Sequence, residues 1–424
     1  MADSKTVAVA VAGGKDCFQD LPEPVLELLL SFLPSRDAVR TSVLARRWRI
    51  LWKSVPSLRF DASQFESAQA LNDFASKLLE HRDRTVPLRE CHIISYQDGA
   101  EDEALCDLES WVQYAFSCQV SVLRIESLGP RRSDFLLSNN SVISKYLTVL
   151  DLFRLEFGGN PLDLFFCQAL QVLEIDHCSV NLGDVLPKSL RHLKIRSSRL
   201  FSRHKPQSGL SALGLVTFEL ADPQGWTPLL ENLPSLVKSF IRLSCFCEDA
   251  CDNVKCLGDC GDESCHGCYG EDGRCVLLKG LSGTTNLELI SQYSMIFRKD
   301  LRWRPMFSKL KTLVLNEWCL TGNFSGLLHF LQHSPILEKL TLQLPSRKHF
   351  DIGSSGSYNP AEYFLVSKHL KVVEIHCSKE DEWVCQIVNI LGSHGVTSAQ
   401  ISIKHDSWSS FRFSFEQPKK MSLN

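Results

Sequence analysis

Residues 147–196 read LTVLDLFRLEFGGNPLDLFFCQALQVLEIDHCSVNLGDVLPKSLRHLKIR, and one pattern stands in that stretch three times: Leu147-Leu150-Leu152, Leu170-Leu173-Ile175 and Leu190-Leu193-Ile195. The copies begin 23 and then 20 residues apart. An L-x-x-L-x-L pattern at that period marks a solenoid in which every unit adds one short strand to a parallel sheet. The reason is geometric. Side chains alternate along a strand, so the apolar residues at the fourth and sixth positions share one side, and stacked units bury a continuous interior that no unit could bury alone.

The pattern continues in both directions. Clear copies are Leu215-Phe218-Leu220, Leu310-Leu313-Leu315, Leu337-Leu340-Leu342 and Leu370-Val373-Ile375, and weaker ones start at Leu88, Val120, Leu236, Thr284 and Val396. The starts at 284, 310, 337 and 370 are 26 to 33 residues apart, which leaves room for inserted helices or loops. The third, fifth and seventh positions of each copy face the concave side. Read off in order they give Val149, Asp151 and Phe153, then Val172, Glu174 and Asp176, then His192, Lys194 and Arg196, then Thr217, Glu219 and Ala221. An acidic rung beside a basic one suits a polar peptide or protein ligand, and the candidate contacts are Asp151, Phe153, Glu174, Asp176, Lys194, Arg196 and Glu219. The competing reading is a solvated surface paired across strands, Glu174 with Lys194 and Asp176 with Arg196.

The 424 residues are 44% hydrophobic and 22% charged, near the globular average, so the chain is expected to fold. The net charge of −3 disfavours broad electrostatic binding to nucleic acid or an anionic membrane. No apolar run approaches the roughly 18–20 residues that span a bilayer. An intracellular chain, in nucleus and/or cytoplasm, is expected.

Residues 18–60 read FQDLPEPVLELLLSFLPSRDAVRTSVLARRWRILWKSVPSLRF. Leu21-Pro22 opens a helix on which Val25, Leu26, Leu29, Phe32 and Leu33 recur at three and four residues, and Pro34 stops it. Ser35 can cap a second helical stretch, and Val39, Val43, Leu44, Trp48, Leu51 and Trp52 continue the spacing. A unit this small is poorly placed to cover its own apolar surface.

The order Leu21-Pro22, Ser31-Phe32-Leu33-Pro34, Asp37-Ala38-Val39, Thr41-Ser42-Val43-Leu44, Arg46-Arg47-Trp48 and Leu51-Trp52 resembles the F-box of plant F-box/LRR-repeat proteins. With it the repeats resemble divergent leucine-rich repeats, and Leu370 to Lys404 is similar to the FBD segment that closes many such chains. The resemblance implies an α/β chain: a helical F-box followed by a leucine-rich-repeat solenoid, a curved parallel sheet with helices and loops on its convex side. It divides the chain into a tail at 1–15, an F-box at 16–60, a linker with first irregular repeats at 61–119, the solenoid at 120–369, an FBD-like cap at 370–410 and a tail at 411–424. It implies a non-catalytic substrate-recognition subunit of a Skp-cullin-F-box ubiquitin ligase, joined through a Skp-type adaptor to cullin and RING subunits. Leu21, Pro22, Leu26, Leu29, Val43, Leu44 and Trp48 are the implied adaptor contacts, with Trp48 equally readable as core. The bland alternative makes the whole helical unit a cap on the neighbouring domain.

Seventeen cysteines are present, and eight of them crowd into CFCEDACDNVKCLGDCGDESCHGCYGEDGRC at 245–275. The other nine sit in contexts such as Leu105-Cys106 and Trp318-Cys319 that fit buried, reduced thiols. Within the insertion only Cys265 and Cys268 have C-x-x-C spacing. Three readings stand: a reduced surface loop without metal, a zinc site drawing on Cys256, Cys260, Cys265 and Cys268, and disulfides. Eight carboxylates against Lys255 and Arg274 argue against a nucleic-acid finger.

No catalytic motif stands out. Gly14-Lys15 is followed by Asp16, and Val9 stands where the first P-loop glycine belongs. His177, His192, His376 and His405 fall on or after strands, where structural roles dominate. The alternative to a ligase subunit is a repeat scaffold, or an interaction protein that responds to metal or redox state through its cysteines.

Overall fold

The computed structural model describes residues 18, 20–96, 106–128, 133–134, 144–183, 185–201, 208–249, 275–292, 295–344, 369–378, 382–405 and 411–416. Thirteen strands form one sheet: β1 (Ser57–Asp61), β2 (Glu90–Tyr96), β3 (Val122–Leu128), β4 (Val149–Phe153), β5 (Val172–Asp176), β6 (His192–Arg196), β7 (Thr217–Ala221), β8 (Lys238–Leu243), β9 (Asn286–Ser291), β10 (Thr312–Asn316), β11 (Lys339–Leu344), β12 (Val372–Cys377) and β13 (Ile401–His405). Each pairs in parallel with the one before it, so spatial order follows chain order. The sheet is the leucine-rich-repeat solenoid and the class is α/β, as the period predicts.

The register explains the pattern. Leu150, Leu173, Leu193 and Phe218 stand side by side, as do Leu152, Ile175, Ile195 and Leu220, and all are buried in one continuous interior. The chain leaves β4 to β7 by the same step. Arg154, His177, Ser197 and Asp222, each directly after its strand, adopt φ between 45 and 56°. Their N–H groups donate to carbonyls of the next rung, Arg154 to Asp176, His177 to Arg196, Ser197 to Ala221 and Asp222 to Arg242, at 2.8–2.9 Å. The backbone donor that the bend would orphan is thereby satisfied in each of these four repeats. Cys178 and Ser198 occupy equivalent buried positions one residue further on, and the Cys178 N–H donates to the Ser198 hydroxyl at 3.0 Å.

Period decides what covers the convex side. Where rungs follow closely, the short strands Leu155–Leu162, Ser179–Leu182 and Arg199–Leu200 form a second parallel layer. Where the interval is longer, helices fill it: Ala68–His81 and Leu108–Ser117 near the start, Thr321–His333 and Glu382–Ser393 towards the end. The sheet begins at Ser57, since β1 and β2 join it, β2 within the stretch 61–119 expected to hold a linker and first irregular repeats. The longer helical returns dilute the leucine pattern there. Residues 370–405 likewise supply the last two rungs.

The amino-terminal helical unit is attached without a linker. Its last residues run straight into β1, the Arg59 N–H donates to the Ser35 hydroxyl at 2.8 Å, and Val39 and Trp52 pack on the solenoid interior. Arg82, itself buried, reaches back to the Val55 carbonyl at 3.2 Å.

Candidate functional site: the helical unit and the concave face

In the amino-terminal unit, α1 (Glu23–Ser31) starts after Pro22, and α2 (Ser35–Arg40) starts after Pro34. A proline costs least where the helix needs no N–H. A short helix α3 (Trp48–Leu51) follows. Leu26, Leu30, Ala38, Trp48, Leu51 and Val55 close a small core of their own. The Phe18 ring meets Trp48 edge-on at 5.8 Å, and the Arg47 guanidinium holds the Leu21 carbonyl at 2.8 Å.

The opposite face stays uncovered. Val25, Leu28 and Leu29 on α1 and Phe32 at its C-cap, at helical spacing, are exposed, as are Leu33, Val43, Leu44 and Ile50. Val43 is 85% exposed and Leu44 69%. Nine of the twenty-three exposed large apolar side chains among the described residues fall in 18–60, so exposed apolar surface is concentrated in this unit.

Of the candidate adaptor contacts, Leu29, Val43 and Leu44 are exposed, Pro22 lies at the surface and Leu21 is half-buried. Leu26 and Trp48 are 0% and 7% exposed and lie in the unit's core, the alternative already open for Trp48. Apolar residues run round both faces of α1, so spacing alone could not say which face turns inward. Leu28, Phe32 and Ile50, exposed beside the candidates, are not among them; Leu28 and Phe32 belong to an i, i+3, i+4, i+7 series starting at Val25.

The sheet brings the concave candidates together. Asp151, Phe153, Glu174, Asp176, Lys194 and Arg196, with Glu126, bound a cavity of about 260 Å³ over β3 to β6. Glu219 lies beneath Arg196, 3% exposed. Most of these charges are matched. Lys194 donates to Glu174 at 2.7 Å, and Arg124 to Asp151 at 3.0 Å. The expected Asp176–Arg196 pair is replaced: Arg196 Nε donates to Glu219, while Asp176 accepts from His177 at 2.6 Å. The Arg196 side chain reaches sideways to the more buried carboxylate, where an unpaired charge costs most. Burial, and then Glu174 beside it, hold the Asp151 carboxyl above its ordinary range.

The F-box family model matches residues 18–60. Residues 18–60 are an F-box domain. Beyond the F-box the chain is similar to an F-box/FBD/LRR-repeat protein of Arabidopsis thaliana, 26% identical over 398 residues, covering 85% of each chain. It is also similar to the MEIOTIC F-BOX protein MOF of Oryza sativa subsp. japonica, 28% identical over 353 residues, covering 77% of this chain and 71% of that one. A putative F-box/LRR-repeat protein of A. thaliana is 26% identical over 357 residues, covering 77% and 72%.

The cysteine-rich insertion is anchored at both ends. Near its start, Asp249 accepts the Thr227 N–H and hydroxyl at 2.8 and 2.7 Å. After it, the buried Asp300 accepts the N–H groups of Val276, Leu277 and Leu278 at 2.6–2.8 Å. Burial pushes the Cys247 thiol up, and the Cys275 thiol to about 12. Cys256, Cys260, Cys265 and Cys268 lie outside the described residues. Among the described residues no cluster of three or more metal-ligating side chains occurs, and no helix is long and apolar enough to cross a membrane.

Proposed function

We propose that this chain is the substrate receptor of a Skp-cullin-F-box ubiquitin ligase. Its F-box docks a Skp-type adaptor through the exposed apolar face of α1 together with Val43 and Leu44, and its concave face captures a protein substrate. The single observation that carries the reading is that face: an F-box unit with its own closed core that still leaves Val25, Leu28, Leu29, Phe32, Val43 and Leu44 in water. A cluster of exposed apolar side chains of this kind marks a surface for protein–protein contact. Cullin and RING subunits join through the adaptor, and the chain contributes positioning, raising the effective concentration of a substrate lysine beside the charged carrier.

The test is co-purification of the full chain with a Skp-type adaptor, wild type against Val43→Asp/Leu44→Asp. Both side chains are exposed, so the variant should keep the wild-type melting profile while adaptor affinity falls at least ~10-fold, two charges being forced into a desolvated contact. A folded wild type that does not bind the adaptor overturns the reading.

A further inference from the structure

Residues Phe411–Glu416, FRFSFE, lie across the concave face over β7 to β9 rather than trailing from the last strand as a tail. Phe413 is 1% exposed and packs on Ala221 and Ile290, its ring 5.9 Å from that of Phe240. The Phe415 ring meets Phe240 edge-on at 5.0 Å. The Arg242 guanidinium stands 4.9 Å over the Phe413 ring and 5.7 Å over that of Phe411. Its Nη1 donates to both carboxylate oxygens of Glu416, at 2.8 and 2.7 Å. Ser414 donates its N–H at 2.9 Å, and its hydroxyl, to Glu288.

Two features separate this from ordinary packing. The cluster of Ala221, Ile290 and Phe413 is distinct from the solenoid's continuous interior, which closes without it. The segment adds no strand to the sheet. It is held by side chains in side-chain pockets, and Asp222 braces Arg242 from behind at 2.9 Å. Alongside it, a cavity of about 440 Å³ continues over β8 to β12, with Arg412, Phe413 and Ser414 as one wall and Lys238, Lys339, Glu374 and His376 among the others.

We propose that the concave face over β7 to β9 is a recognition site for a peptide segment of a partner protein that carries aromatic residues on either side of a serine, followed by a carboxylate, and that residues 411–416 occupy this site in cis until such a segment displaces them. The inference rests on the receptor reading above. Each part of the motif meets a matching group: aromatic rings meet Phe240 and the Arg242 plane, the serine N–H and hydroxyl meet Glu288, and the carboxylate meets Arg242. Because the segment belongs to the same chain, a competitor must displace it intramolecularly, so it must be tight or must also use the neighbouring cavity.

The probe is a fluorescein-labelled peptide of residues 409–418, titrated into the full chain bound to its adaptor or alone. In a Phe413→Ser/Glu416→Lys chain the cis segment is crippled and the peptide should bind at least tenfold tighter than to wild type. Adding Arg242→Ala to that chain should return binding to background. A crippled chain with a wild-type melting profile that binds no more tightly than wild type overturns the proposal, as does binding that ignores Arg242→Ala. Should the crippled chain not fold, hydrogen exchange on wild type decides: a saturating peptide carrying Arg412→Lys, distinguishable by mass, must speed exchange of the chain's own Phe413 and Ser414 amides, and unchanged rates overturn the proposal. Peptide binding needs neither adaptor nor ubiquitin. Peptide capture without adaptor binding would sink the receptor reading alone, and adaptor binding without peptide capture would sink this inference alone.

Discussion

Rungs β4 to β7 and rungs β8 to β12 belong to one sheet and present the same positions to the same side, yet they are built and used differently. The first group follows at short intervals, leaves the sheet by one repeated left-handed step and meets its charges with each other, Glu174 with Lys194 and Arg196 with Glu219. The second is interrupted by the cysteine-rich insertion and by helices, and part of it is covered by Phe411–Glu416. Regular repetition fills a concave face with residues that satisfy their neighbours. The irregular rungs also pair charges across strands, Lys339 with Glu374 at 2.9 Å, but Glu288 and the side of Arg242 turned away from Asp222 meet a segment outside the repeat.

The sharpest way to break the comparison is to remove one cation from each half. Arg242 holds Asp222 and Glu416 at once with little solvent contact, so Arg242→Ala should cost about 2–3 kcal/mol in urea unfolding. Lys194→Ala removes a half-exposed pair and should cost no more than about 0.5 kcal/mol. Equal losses would erase the distinction.

Acid should strain the irregular half next. His329, on the helix Thr321–His333, is buried and stacked 4.1 Å from His333, and burial followed by His333 lowers its pKa to about 4. The folded state binds fewer protons than the unfolded chain, whose histidine titrates near 6.5. The stability is therefore complete above that value and is lost as pH falls towards 4. Between pH 7 and 4.5, wild type should lose about 2 kcal/mol more than His329→Leu, measured by urea midpoints.

The smallest effect belongs to the regular half. Ser197 sits at φ 45° and keeps its N–H bond to Ala221 whatever its side chain. Ser197→Gly relieves a conformation that costs L-residues and should raise stability by about 0.5 kcal/mol. A loss there would mean that the left-handed step is not strained.

The solenoid was legible because its interior repeats: Leu150, Leu173 and Leu193 meet the same neighbours, so the same residue type recurs. The F-box was legible from the order of its prolines, leucines and tryptophans, but its inside and outside were not, since α1 is apolar on both faces and Leu26 went inward while Leu29 did not. Register correctly placed Asp176 beside Arg196, yet the long arginine side chain chose Glu219. Residues 411–416 carry no leucine period. Their one signal was phenylalanine at every second position, Phe411, Phe413 and Phe415, in a stretch with no strand partner to explain it.

The absence of a linker between the F-box and β1 turns rung number into a measure of length. Every strand advances the sheet by about 4.8 Å, so β4 stands roughly 14 Å of arc from β1 and β8 roughly 34 Å. With Ser35 and Arg82 fixing where the count begins, a ligand on the regular half and one on β8 are held at two set distances from whatever sits on the F-box. On the receptor reading proposed above, the choice of rung is then also a choice of which stretch of a captured protein comes within reach.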